Sequence, residues 1–328
     1  MTGIPASVSI ARNVSSLSKH SSNSPVVVLV NPAAGGGRAK EAVPLLRRFA
    51  ERNHWNAEFH ITANPEDLAM QARQAATEGA NQILALGGDG TFQSLLNALE
   101  TPSDVVLGIL PAGAGNDLAA SLGLPADPVK SAALLMNGEI HDLDAARVRT
   151  AEGNERLYTG GGGVGLDADA VRYATSTYRN LRGRSRYLLA ALRALAGFRP
   201  IRVCAQFQAG GAKSLEADVL LVGVLNTPSY GAGLRLAPAA KTNDGNLDLV
   251  VLESLALFEI LALLPSLATS GELRTRRVHR FPVQQVRIET DRPCLFHGDG
   301  EILGSTPVEI SVVPRAIRML CPVVREPR

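Results

Sequence analysis

The chain has 328 residues, 45% of them hydrophobic and 20% charged, which supplies a large core and excludes a globally disordered protein. At roughly 100–200 residues per domain, there is room for two domains. Lysine plus arginine (33) nearly balances aspartate plus glutamate (31), and aromatics make up only 4%, so neither charge nor stacking surface points to a nucleic-acid partner. Cys204, Cys294 and Cys321 are odd in number and far apart, a pattern of neither a disulfide scaffold nor a zinc knuckle, and a reducing compartment is the simpler reading.

Residues 1–24 are rich in serine and asparagine and lack an apolar run, so a flexible tail rather than a secretory signal is expected. Val26–Val30 is an apolar run suited to a buried strand. The turn Asn31-Pro32-Ala33-Ala34-Gly35-Gly36-Gly37 follows. A helix is expected within 38–53, with Val43, Leu46, Phe49 and Ala50 at helical spacing. Pro44 requires that helix to start close by or to bend there. A short strand is expected at 57–62. Asn64, Pro65 and Asp67 then form a helix start signal, ahead of a stripe made by Leu68, Ala72, Ala75 and Ala76.

Residues 82–86 read as a strand, Gly87-Gly88-Asp89-Gly90-Thr91 as a turn and 92–99 as a helix. A strand at 105–110 leads to the turn Pro111-Ala112-Gly113-Ala114-Gly115, and Asn116-Asp117 opens another helix. Repeated strand–turn–helix units predict a mainly parallel sheet covered by helices. Its glycine turns lie at the carboxyl ends of strands, where such sheets bind ligands.

After about residue 145 the pattern changes to valine-rich strands at 202–207, 218–225, 247–252, 285–289 and 308–313, with turns at 210–211, 243–246 and 298–300. An arginine-rich helix carrying Arg179, Arg182, Arg184 and Arg186 is expected within 178–197. The most apolar stretch, 247–268, contains Asp248, Glu253 and Glu259. Acidic groups in hydrocarbon are costly, so a strand followed by an apolar helix to about 267 is expected, packed on its own domain or facing lipid.

Glycine removes side-chain obstruction, so backbone amides in the three turns can converge on an anion. Thr91 can donate its hydroxyl. Asp89 repels bare phosphate and so needs either nucleotide hydroxyls or Mg²⁺ as a mediator. No turn ends in the GKS or GKT of a Walker A loop, and the glycine run 160–165 comes too late for a dinucleotide fingerprint.

The ordered set Asn31-Pro32 with Gly35-Gly36, 87–91, 111–119, Gly163-Val-Gly-Leu-Asp-Ala168, Asn226 through Tyr230-Gly231, Ala237-Pro238, Asp244-Gly245-Asn246-Leu247-Asp248 and Asp299-Gly300-Glu301 resembles the diacylglycerol kinase catalytic family. These are soluble bacterial lipid kinases related to sphingosine and ceramide kinases. The resemblance covers about 26–321. It implies an α/β fold class: an N-terminal Rossmann-like, phosphofructokinase-like three-layer nucleotide domain and a C-terminal, mainly antiparallel β-sandwich. The expected division is a tail (1–24), an ATP-binding domain (25–145), a lipid or acceptor domain (146–314) and a segment returning to the first domain (315–328).

The resemblance further implies ATP binding through Asn31, Pro32, Gly35, Gly36, Arg38, Gly87, Gly88, Asp89, Gly90, Thr91, Gly113, Gly115, Asn116 and Asp117, with Lys40 a further basic candidate beside the first turn. Asp89 and Asp117 belong to the Mg²⁺ network, and Asp142 is a further acidic position. Asp244 with carbonyls of Lys241 and Asn246 would bind a structural Mg²⁺. Asp299 would accept the proton of a lipid alcohol, with Glu301 orienting it. The expected substrate is a lipid at the membrane surface, diacylglycerol first. The expected location is cytoplasmic with peripheral association at the inner membrane face, and a homodimer is an open possibility. Ala114 departs from the family, which places threonine there, and removes a hydroxyl worth on the order of 1 kcal/mol. An NAD kinase and a catalytically weak nucleotide- or lipid-binding regulator are the competing readings.

Overall fold

The computed structural model describes residues 25–323, apart from 179–180, 182–183, 210–211, 230, 232, 257, 261, 264–272 and 274. The expected N-terminal tail, Arg179, Arg182, the 210–211 turn and the far end of the apolar helix lie outside the described residues. In the first domain β1 (Val26–Val30), α1 (Arg38–Arg52), β2 (Ala57–Ile61), α2 (Pro65–Thr77), β3 (Gln82–Gly87), α3 (Asp89–Ala98), β4 (Val106–Pro111), α4 (Asp117–Ser121) and α5 (Pro128–Leu135) follow one another. The strands pair in parallel in the order β4-β3-β1-β2. β1, β3 and β4 are near-continuous apolar runs because helices cover both faces.

Local chemistry sets the helix starts. Asn64 Oδ1 accepts from the Asp67 N–H at 2.8 Å and Pro65 occupies the first turn of α2, so two orphan positions at the helix start are settled. α1 begins at Arg38 and runs through Pro44 in its interior, earlier than the proline alone suggests. The missing N–H falls on a helix whose opposite face buries Ala39, Ala42, Val43, Leu46 and Ala50 in the core. That burial outweighs the loss of one exposed hydrogen bond.

The second domain comprises β5 (Glu139–Arg149), β6 (Glu155–Tyr158), β7 (Gly161–Gly165), α6 (Leu166–Thr175), α7 (Arg184–Gly197), β8 (Ile201–Ala209), β9 (Ala212–Leu225), β10 (Leu247–Glu253), β11 (Val278–Val283), β12 (Gln285–Thr290), β13 (Leu295–Gly298), β14 (Glu301–Ser305) and β15 (Val308–Cys321). These strands pair antiparallel with one another and form a β-sandwich around a core that includes Val164, Val203, Val222, Val251, Ile288 and Val308. A further cluster with Leu221, Leu225, Leu236, Val250 and Leu252 covers the other face of β9 and β10.

β15 extends eight residues beyond the expected 308–313. Its first half pairs with β12 and β5, and its second half lies parallel to β4 through Arg318–Val106 and Met319–Leu107. A register shift between Val313 and Ile317, with Arg315 at φ 53°, breaks the alternation there and hides the continuation from a reading by periodicity. The one mixed sheet therefore runs through both domains. α3 adds side-chain ties. Asn97 donates to the Leu157 carbonyl and accepts the Leu157 N–H, both at 2.8 Å, and Gln93 Nε2 donates to the Gly298 carbonyl at 3.2 Å.

Candidate active site

The three glycine turns meet at the carboxyl ends of β1, β3 and β4. Gly35 has φ +62°, and a Cβ there would lie 2.0 Å from the Ala112 carbonyl oxygen. A Cβ on Gly113 would lie 2.5 Å from Gly88 Cα. The turns thus pack backbone against backbone, and any side chain at these points would push them apart. Asn31 Nδ2 donates to Thr91 Oγ1 at 3.0 Å, tying the first turn to the second and leaving the hydroxyl proton of Thr91 as a donor.

Two residues expected to bind nucleotide make scaffold contacts. The Arg38 guanidinium donates to the carbonyls of Gly113 and Ala126, at 3.2 and 3.3 Å, so it braces the third turn from behind. Asn116, at φ 61°, accepts from the Gly113 N–H at 2.8 Å and returns Nδ2 to the Gly113 carbonyl at 3.0 Å. Its amide closes the turn. Asp89 accepts from the N–H groups of Asp117 and Leu118, at 3.2 and 3.1 Å, and so caps α4 from another helix. Burial nevertheless holds its carboxyl above the ordinary value.

The cleft above these turns has a volume of about 490 Å³. Its floor is Asn31, Gly35, Gly36, Gly88–Thr91 and Gly113–Gly115, with Ala114 among them. Thr62, Asn64 and Leu68 line it as well, and Asp299, Gly300, Glu301 and Arg186 come from the second domain. Pro32, Arg38, Lys40, Gly87, Asn116 and Asp117 do not line it. Gly87 supports Thr91, whose side chain sits where a Cβ on Gly87 would go.

Asp299 sits at φ 49° in the turn between β13 and β14. Oδ2 accepts from the Thr159 N–H at 2.8 Å and from Thr159 Oγ1 at 3.1 Å, while Oδ1 accepts from Gly160 N and Gly161 N at 2.8 and 3.1 Å. Burial, opposed by these donors and reinforced by Asp89, pushes the carboxyl up to about 6. Nearby, a Cβ on Gly90 would meet Glu301 Oε1 at 2.8 Å, which sets this carboxylate against the second turn. Burial and then Asp299 raise its proton affinity.

A second pocket, of about 280 Å³, adjoins the cleft. Leu118, Leu166, Ala170, Val171, Ala191, Leu221 and Leu234 give it an apolar wall, and Asp167 and His297, 3.1 Å apart and buried, close one side. Asp89, Gly115, Tyr187, Asp299 and Gly300 line both spaces. The two cavities therefore share a wall that carries Asp299.

Asp244, Lys241 and Asn246 line neither space. The turn they occupy is held by Asp144, whose carboxylate accepts from Gly245 N at 2.7 Å and from Arg315 N at 2.9 Å. Asp142 is exposed on β5, whereas Asp144, two residues on, is 2% exposed and organises the junction. Burial and then the Asp244 charge push Asp248 up to about 6. Among the described residues no three His, Cys, Asp or Glu side chains gather into a metal site.

Thr159, Gly160 and Gly161, which hold Asp299, were not singled out by their sequence. Their one sequence signal is the glycine run 160–165. α6, which walls the apolar pocket, was likewise missed. No described helix is long and apolar enough to cross a membrane.

Residues 25–148 match the model of the diacylglycerol kinase catalytic domain, and 160–321 match the YegS C-terminal NAD kinase beta sandwich-like domain. A diacylglycerol kinase of Mycobacterium tuberculosis is 30% identical over 299 residues, spanning 90% of this chain and 95% of that protein. One of Bacillus subtilis is 26% identical with the same coverage. A crystal structure of a diacylglycerol kinase from Bacillus anthracis shares the fold with a TM-score of 0.68 at 20% identity, over 91% of this chain and 97% of that one. With both domains matched in order and a relative at 30% identity along nearly the whole chain, the protein belongs to the bacterial diacylglycerol and lipid kinase family, and it is an ATP-dependent phosphotransferase.

Proposed function

We propose that the chain transfers the γ-phosphate of ATP to the hydroxyl of a lipid, with diacylglycerol the first acceptor and phosphatidic acid the product. The observation that carries this reading is the shared wall: a polar, amide-lined cleft and an apolar pocket both reach Asp299. The parallel order β4-β3-β1-β2 supports a phosphofructokinase-like nucleotide domain. The names of the relatives support diacylglycerol as the acceptor.

The turn amides and the Thr91 hydroxyl suit the phosphates, while Thr62, Asn64 and Leu68 leave a slot for the nucleoside. Asp89 and Asp117 converge on Gly115, where a Cβ would lie 3.3 and 3.5 Å from an oxygen of each. A pair of carboxylates beside phosphates is the donor set Mg²⁺ takes, and these two residues would hold it. The ion neutralises phosphate charge when bound. Asp244 with the carbonyls of Lys241 and Asn246 is a second hard-oxygen set.

Asp299 receives the alcohol proton as the lipid oxygen attacks phosphorus. Of its four donors, the Thr159 hydroxyl can rotate away, so the incoming alcohol takes that place on Oδ2 while the three backbone donors keep the carboxylate aimed. Proton affinity near the working pH suits this role. Glu301, set against the second turn, orients Asp299. The pocket holds roughly nine water volumes, so a glyceryl head and the first carbons fit, and long chains extend outward. Leu188, Leu189 and Leu192 on α7 are exposed beside Tyr187 and Ala191, which line that pocket. They support peripheral association with a membrane.

The test is transfer from γ-labelled ATP to a lipid panel, with NAD included as an acceptor. Label in diacylglycerol supports the reading. Label on NAD alone overturns it.

A further inference from the structure

The phosphates of ATP carry several negative charges, yet the cleft walls present three carboxylates, Asp89, Asp299 and Glu301. Arg38 is turned onto backbone carbonyls behind the third turn. Among the described residues that line the cleft, Arg186 is the one cation. It stands near the start of α7 in the second domain, across from the glycine turns of the first. Its Nε is buried without a hydrogen-bond partner. One terminal nitrogen donates to Tyr187 Oη at 3.3 Å, and the guanidinium carbon sits 5.1 Å from that ring's centroid. A buried guanidinium N–H with no acceptor, on a side chain that lines a polar cleft, is incomplete.

The position along the cleft narrows the partner. Tyr187, the next residue, lines both the nucleotide cleft and the apolar pocket. Arg186 itself lines the cleft and not the apolar pocket, one residue before the tyrosine that both spaces share, and on the second-domain side that also carries Asp299. We infer that Arg186 binds the outermost phosphate of the nucleotide from the second domain, completes the charge balance of the cleft and holds that phosphate against the acceptor. The inference rests on the cleft's being a nucleotide site. A planar guanidinium with several donors suits a phosphoryl group whose charge spreads over its oxygens during transfer.

The test measures binding as well as turnover. The affinities of ATP, ADP and AMP are determined without lipid for the wild type, Arg186→Ala and Arg186→Lys, and γ-phosphate transfer is then measured. Charge-assisted hydrogen bonds predict that Arg186→Ala weakens ATP roughly 10- to 100-fold and leaves AMP unchanged. Lysine restores part of the loss. Turnover falls by at least the same factor. A merely structural role lowers the affinities of all three nucleotides together, and that result overturns the inference. So does wild-type ATP affinity with wild-type turnover in Arg186→Ala, while leaving the lipid kinase reading intact. If the wild type phosphorylates no lipid, the lipid kinase reading fails, and the ATP-against-AMP comparison still decides the role of Arg186. Should the alanine variant fold poorly, Arg186→Gln gives the same contrast with a side chain of similar reach.

Discussion

Asp299→Asn separates the electrostatics of the cleft from its chemistry. In the folded protein the Asp299 carboxyl is pushed from 3.8 to about 6. A shift of that size corresponds to about 3 kcal/mol of differential stability. The sign follows from proton binding. Between about pH 4 and 6 the folded state holds this proton more tightly than the unfolded chain, so stability falls as pH rises through that window. The cost is fully present above about pH 7. Asparagine carries no such charge, so the stability of the variant relative to wild type should climb by about 3 kcal/mol from about pH 3 to pH 7. A constant offset of opposite sign is expected as well. An amide must turn its NH₂ toward Thr159 or toward Gly160 and Gly161, losing bonds of about 1 kcal/mol each. Urea unfolding at a series of pH values measures both, since the offset is flat with pH and the titration is not. Turnover should fall about 10²–10⁴-fold with the loss of the proton acceptor. Wild-type kcat/KM should rise with pH through about 6 as Asp299 ionises. Parallel stability curves for the two proteins would show that Asp299 titrates like a free carboxyl and that burial at the shared wall does not control it.

Further predictions concern the turns, the pocket and the metal. Gly35→Ala forces a Cβ to within 2.0 Å of the Ala112 carbonyl at φ +62°. Calorimetric titration should show ATP affinity reduced at least about tenfold, a loss near 1.4 kcal/mol, and unchanged affinity would remove the packed-turn account. Ala170→Phe fills the apolar pocket from α6. Lipid KM should rise about tenfold with ATP affinity unchanged, and an unaltered lipid KM would show that the acceptor lies elsewhere. Chelating Mg²⁺ should lower the wild-type Tm by about 2–4 °C, and Asp244→Ala should abolish that difference. An equal drop in the variant would move the stabilising ion away from this turn.

The parts of the site legible in the sequence are those that depend on short-range pattern. The three glycine turns sit directly after apolar strands, and the backbone geometry glycine permits is local. The roles of Arg38 and Asn116 were not legible, because their partners, Gly113 and Ala126, are set by how one turn packs on another. The cradle of Asp299 joins residues about 140 positions apart. A return of 315–328 to the first domain was expected, but its being one strand with 308–313 was obscured by the irregularity around Arg315, and Asp144 holds that irregularity in place from β5. Asp142 and Asp144 look alike in the sequence. Only the strand pairing makes the second one the buried organiser.

The most direct test of the account is a structure of the protein with Mg²⁺, a non-hydrolysable ATP analogue and a short-chain diacylglycerol. The account predicts the terminal phosphate over the Gly88–Thr91 turn, the lipid hydroxyl within about 3.2 Å of Asp299 and the chains leaving through the pocket beneath α6 and α7. A nucleotide whose phosphates point away from Asp299, with the lipid bound outside that pocket, would contradict it.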